Sequence, residues 1–214
     1  MAITLDGTTG ITAPGVTDTG NLSVSGTSTL TGSIGNVTAG TISSGAITSS
    51  GLVTGATGAL YPVVRPGASK TASGSSVDFT AIPSWVNRIT VQINGLSYAA
   101  AGVGVVRIGS GSLSTTGYTS NVVVSNSTSV STSAQTDGFG SISTSAAATT
   151  VNGVYVITHL GANTWSFSEQ VFRTTDNTGM AGNGFIALGG VLDQLSLVAT
   201  TSTFDAGTIN ILYE

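Results

Sequence analysis

The sequence predicts an all-β protein in two parts: an N-terminal intertwined trimeric β-shaft, then a C-terminal β-sandwich of jelly-roll-like character. Three observations carry this. Every Trp, Tyr, Phe, Lys and Arg lies beyond residue 60. Aromatics carry much of a globular core's burial, so the core belongs to that part. Ahead of it, glycines recur every five or six residues around lone aliphatics. Beyond it, short apolar–polar alternations are cut by turn dipeptides, and no capped helical stripe occurs. The expected divisions are 1–20, a shaft over 21–59, and a head over 60–214.

In the shaft, glycines fall at 26, 32, 35, 40, 45, 51 and 55. Leu22, Val24, Leu30, Ile34, Val37, Ile42 and Ile47 stand between them, followed by Leu52 and Val53. One aliphatic per repeat cannot make a core within a single chain. Such repeats bury their apolar face by association, and three chains about an axis bring these seven side chains together inside. A flexible Gly/Ser linker is the alternative reading. At ~3.3 Å per residue the segment spans under roughly 130 Å.

In the head, Ile89, Val91 and Ile93 alternate with Arg88, Thr90 and Gln92, and the run ends at Asn94-Gly95, a hairpin dipeptide. Further strands are expected near 75–80, 103–109, 121–125, 151–159, 163–173, 184–189, 194–199 and 207–213. Asp137-Gly138, Asn152-Gly153 and Asn183-Gly184 add turn signals. The Ser/Thr-rich stretch 110–148 reads mainly as surface loops outside 121–125. Ile89, Val91, Ile93, Val156, Trp165, Phe185, Leu197, Ile209 and Ile211 are the expected core. Trp85 follows an Ile-Pro-Ser turn and reads as a core or interface anchor. Tyr98 and Tyr118 sit beside small-residue loops, where an aromatic either stacks on a sugar or covers a strand edge.

Composition excludes several functions. The 214 residues carry five Lys plus Arg and nine Asp plus Glu, a formal charge of -4. Five cations cannot neutralise the row of phosphates that nucleic-acid binding requires, nor make a basic membrane-surface helix. No apolar run approaches the ~18 residues of a spanning helix, despite a mean hydropathy of +0.37. There is no cysteine and one histidine, His159. A lone strand-end histidine with no Gly-x-Ser-x-Gly elbow reads as structural. Glycan hydrolysis needs two carboxylates at a set separation. Asp78, Asp137, Glu169, Asp176, Asp193, Asp205 and Glu214 form no recognisable pair. No enzyme activity, metal or cofactor is expected.

Two stretches carry a resemblance. Ile3-Thr-Leu-Asp-Gly-Thr-Thr-Gly-Ile-Thr-Ala-Pro-Gly and Gly20-Asn-Leu-Ser-Val-Ser-Gly-Thr-Ser-Thr-Leu-Thr-Gly resemble phrases of bacteriophage tail fibres. Val77-Asp-Phe-Thr-Ala-Ile-Pro-Ser-Trp-Val-Asn-Arg-Ile-Thr-Val, Ile108-Gly-Ser-Gly-Ser, Thr116-Gly-Tyr and the closing Thr203-to-Glu214 run look like the C-terminal domain of phage fibre and virion-associated proteins. The resemblance covers residues 1–30 and most of 60–214. It implies a homotrimeric, non-enzymatic virion protein of the tail or baseplate whose head contacts a host surface glycan. It also implies attachment to other virion proteins through residues 1–20. A head fibre, decoration or fibre-docking protein, located on the capsid or elsewhere on the virion, is the alternative. A glycan-cleaving spike is a third reading.

Overall fold

The computed structural model describes residues 64–214, and all their regular structure is β. The shaft positions Leu22, Val24, Leu30, Ile34, Val37, Ile42 and Ile47, and the attachment segment 1–20, lie outside the described residues. The strands are β1 (Arg65–Pro66), β2 (Lys70–Thr71), β3 (Ser76–Thr80), β4 (Arg88–Tyr98), β5 (Val103–Ser110), β6 (Ser112–Leu113) and β7 (Thr119–Ser125). They continue as β8 (Val130–Gln135), β9 (Phe139–Ser143), β10 (Val151–Gly161), β11 (Thr164–Arg173), β12 (Thr178–Ala187), β13 (Gln194–Thr201) and β14 (Phe204–Tyr213).

They build two antiparallel sheets. The larger, nine-stranded sheet runs β1-β14-β4-β10-β11-β12-β7-β8, with β2 also paired to β14. The smaller, five-stranded sheet runs β3-β13-β5-β6, with β9 paired to β5. One apolar cluster joins them. The large sheet gives it Ile89, Val91, Tyr155, Ile157, Phe167, Ile209 and Ile211, and the small sheet gives Phe79, Val106, Ile108, Phe139, Leu195 and Leu197. These positions follow the period-2 alternation of side chains along each strand. Phe139 stacks on Phe167 with centroids 4.5 Å apart.

Several turn signals prove to be strand interior. Gly95 has φ +63°, as a turn would require, but β4 runs on to Tyr98. Asn94 and Gly95 together face Asn152 alone, between the pairs Ile93–Gly153 and Leu96–Val151, which makes a β-bulge. The Gly95 amide donates to Asn152 Oδ1 at 2.8 Å, so the Asn152-Gly153 signal belongs to the same bulge. A bulge and a hairpin turn call for the same residues, because both need a glycine tolerant of positive φ. Asn183-Gly184 lies in the middle of β12, which starts at Thr178 and pairs with strands on both sides.

The stretch 110–148 holds four strands rather than mainly loops. β7 and β8 form a hairpin whose tip is fixed by Asn126 Oδ1, which accepts the amides of Thr128 and Ser129 at 2.9 Å. β9 then enters the core with Phe139 and Ile142, both fully buried. Seven of the nine expected core positions are buried. Val156 is only half-buried and Phe185 is 50% exposed, because both fall on the outward side of their strands. Trp85 is 46% exposed, with the Arg65 guanidinium over its ring. Its turn does form, with the Val86 amide donating to Pro83 O at 3.1 Å, but that turn buries Ile82 and Val86 instead.

Candidate interaction surface

Alternation decides which side chains the large sheet turns outward. Tyr155, Glu169 and Gly182 form one inward row across β10, β11 and β12. The next row outward is Val154, Gln170, Ala181, Val123 and Thr132. Beside it run the rows Val156, Ser168, Asn183, Asn121, Ala134 and Asn152, Phe172, Gly179, Ser125, Val130. No Asp, Glu, Lys, Arg or His stands in any of these rows.

This face also gathers apolar surface. Five of the nine exposed large hydrophobic residues among the described residues belong to it: Val123, Val130, Val154, Phe172 and Phe185. Ala181 and Gly179 are small, so the centre dips between the valines of β10 and β7. Two adjoining open depressions of about 520 and 430 Å³ result, sharing Val123, Gln170 and Ala181. Single exposed hydrophobic residues are ordinary, whereas a contiguous patch marks an interaction site. The small sheet differs, with Asp78 and Arg107 projecting from its outer side.

Tyr98 and Tyr118, the two sequence-derived contact residues, are buried, which overturns the stacking role expected of them. Tyr98 packs on Phe204 at 4.9 Å, and its hydroxyl donates to Ile142 O at 2.8 Å. Tyr118 meets Phe139 edge-on at 4.9 Å. Its hydroxyl accepts the Ile108 amide at 2.9 Å and faces Ile108 O at 3.1 Å, bracing the β5 corner. Burial pushes the Tyr118 hydroxyl up to about 12, and raises that of Tyr98 further. Both side chains tie the sheets together. Tyr98→Phe strips the Ile142 carbonyl of its donor and is expected to cost about 1–3 kcal/mol. Equilibrium urea denaturation against the unsubstituted protein measures it, and an unchanged midpoint would refute the strut role.

Six of the seven carboxylates of this region have structural partners. Asp78 accepts Ser196 Oγ at 2.5 Å, Asp205 accepts Ser97 Oγ at 2.5 Å, and Asp193 accepts the Gly111 amide at 2.9 Å. Arg107, Arg173 and Arg88 pair with Asp137, Asp176 and Glu214 at 2.8, 2.6 and 3.3 Å. The Arg173 hydrogen bond holds the exposed Asp176 carboxyl below its ordinary range. His159 stacks on Trp165 at 4.8 Å and its ring nitrogen meets Asn87 at 3.3 Å, a structural setting. Among the described residues, no three His, Cys, Asp or Glu converge as metal ligands.

Glu169 is the exception. It is 3% exposed in the core, and neither carboxyl oxygen closes a hydrogen bond of normal geometry. Tyr155 stands beside it, its hydroxyl equally unsatisfied. Gly140, at φ +72°, and Gly182 leave the carboxyl its space, since a Cβ at either would press on its oxygens. Desolvation pushes the Glu169 carboxyl up to about 7, partly offset by the nearby Tyr155 hydroxyl and Ser141 backbone.

The outer face was missed in the sequence because each of its strands supplies only one to three apolar residues. The Trp165-Phe167-Glu169-Val171 alternation did carry the signal for the buried acid. The described residues form an all-β unit of two antiparallel sheets with one apolar core. No protein-family model, no curated protein and no solved structure matches the chain.

Proposed function

We propose that this chain is a structural, non-enzymatic fibre protein of a bacteriophage particle, working as a homotrimer. Residues 60–214 are its β-sandwich head, 21–59 its shaft, and 1–20 its attachment to other virion proteins. The head contacts the host cell surface, with a surface glycan as its target. The observation that supports this most is where the polar chemistry goes. Six of the seven carboxylates, three arginines and the hydroxyls of Tyr98 and Tyr118 are spent on hydrogen bonds and ion pairs within the fold. What the described residues offer outward is mainly hydroxyl, amide and apolar groups, which suit display and weak contact better than acid–base work.

Contact with a glycan would come from the short hydroxyl-bearing loops 126–129, 144–150 and 174–177. Several heads per particle turn weak contacts into firm adhesion through effective concentration. The burial of Tyr98 and Tyr118 favours a second reading, because it removes the aromatic contacts the sequence suggested. In that reading the same protein is a head fibre, decoration or docking protein with no receptor role.

The test has two arms. Sedimentation of the full chain at micromolar concentration is expected to give a trimer, and a stable monomer would overturn the fibre reading. Gold-labelled antibody to residues 64–214 is expected at fibre tips on particles, and preincubation with the free protein is expected to block adsorption. Label on the capsid with adsorption unchanged would replace the first reading by the second.

A further inference from the structure

The outer face of the large sheet gathers five of the nine exposed large hydrophobic residues among the described residues. We propose that the β10-β11-β12-β7-β8 face is where heads meet, each packing this face against further copies of the same chain. The inference rests on the trimer reading above and assigns it a surface.

Three observations select a second copy as the occupant. The first is charge. Each chain is net acidic, so copies repel wherever their carboxylates approach one another. The five-strand face is free of charged side chains, while Asp78 and Arg107 project from the other sheet. An anionic or cationic partner finds nothing on the face to pair with, but a neutral copy of the same face costs nothing in unpaired charge.

The second is composition and relief. Val123, Val154, Phe172 and Phe185 are 39, 36, 45 and 50% exposed, a concentration of apolar surface not matched elsewhere among the described residues. The dip over Ala181 and Gly179 gives the protruding Phe residues of a neighbour somewhere to seat. Gln170 and Asn183 can hydrogen-bond across without carrying charge.

The third is area. Five strands at about 4.8 Å spacing, and about 25 Å long, give a footprint of roughly 600 Å² per copy. In a trimer each face is shared between two neighbours, roughly 600 Å² in total per pair, which is below the ~1,200 Å² of stable free-standing interfaces. Chains held together by a shared shaft meet at millimolar effective concentration, so a face of this size suffices.

The absence of native cysteine makes the test clean. In the full chain, single substitutions Val154→Cys and Val123→Cys report on the face, and Thr80→Cys on the small sheet's outer side is the control. Labelling by a bulky maleimide is followed alongside sedimentation. The expected result is a trimer in which the face positions label at least tenfold more slowly than Thr80→Cys, with equal rates after unfolding. Ala181→Arg in the Val154→Cys background should restore fast labelling while Tyr packing in the near-ultraviolet spectrum stays native.

A trimer with fast labelling at the face overturns the inference and leaves the fibre reading standing. A monomer with fast labelling overturns both. A monomer with slow labelling also overturns both, and assigns the face to a cover from within the chain, such as residues 1–63.

Discussion

Glu169→Gln will remove a loss of about 2–3 kcal/mol in stability of the β domain between acid and neutral pH. The folded Glu169 carboxyl holds its proton up to about pH 7, against an ordinary value of 4.5. Its folded value is raised, so the folded state binds the extra proton between those limits. Stability from this group is therefore fully present below about pH 4.5. It is lost as the pH rises towards 7 and level above. The size is about 3 kcal/mol at most, from roughly 1.4 kcal/mol per unit. The groups facing it from the neighbouring strands are Tyr155 on β10, Gly182 on β12 and the Gly140–Ser141 backbone on β9, with no Lys or Arg among them. Urea denaturation of both proteins at pH 5 and pH 8 reads the effect. The variant should gain on the parent by about 2–3 kcal/mol between the two pH values. The same difference at both would refute a buried, proton-holding Glu169.

Leu197→Ala will cost about 2–5 kcal/mol, enough to threaten the fold of a marginally stable domain. Leu197 is fully buried at the centre of the small sheet, between Val77 on β3 and Val106 on β5. The double change Val91→Ala with Ile93→Ala attacks the facing strand and should cost at least as much. The span of values reflects how far each site collapses around the cavity. Thermal unfolding of these variants against the parent checks both, and an unchanged midpoint in the double variant would contradict the assignment of β4. Val156→Ala, half-buried on the outward side, should cost far less than either.

Much of the strand content was legible because alternation is local. The Ile89-Val91-Ile93 run states both its period and its buried side within six residues. The same reading failed at 110–148, where β8 is Ser/Thr-rich and carries almost no apolar mark. β8 exists because β7 offers an open edge six residues long, and backbone hydrogen bonding needs no particular side chain. Glycine signals failed for a related reason. Asn94-Gly95 marks a place where the chain departs from ideal strand, and only the partner strand decides between a turn and a bulge.

The candidate face illustrates the same limit. Val123, Val154 and Phe172 lie on three strands, as many as 49 residues apart in the chain, and become neighbours only through the order β10-β11-β12-β7. Tyr98 and Tyr118 failed in the opposite direction. Small residues around them suggested open loops, yet it is the smallness of Gly102 and Gly104 that lets the Tyr98 ring lie against the backbone.

By itself the sequence determined the all-β character, the inward side of most strands and the poverty of charge, since these follow from composition and a two-residue period. The tertiary structure alone decided which strands are neighbours, that Glu169 is sealed in the core beside Tyr155, and that uncharged residues from five strands share one face. Pairing in antiparallel sheets joins residues far apart in the chain, and hydrogen bonds between backbones carry no sequence label, so those neighbours are fixed only when the two sheets close on a common core.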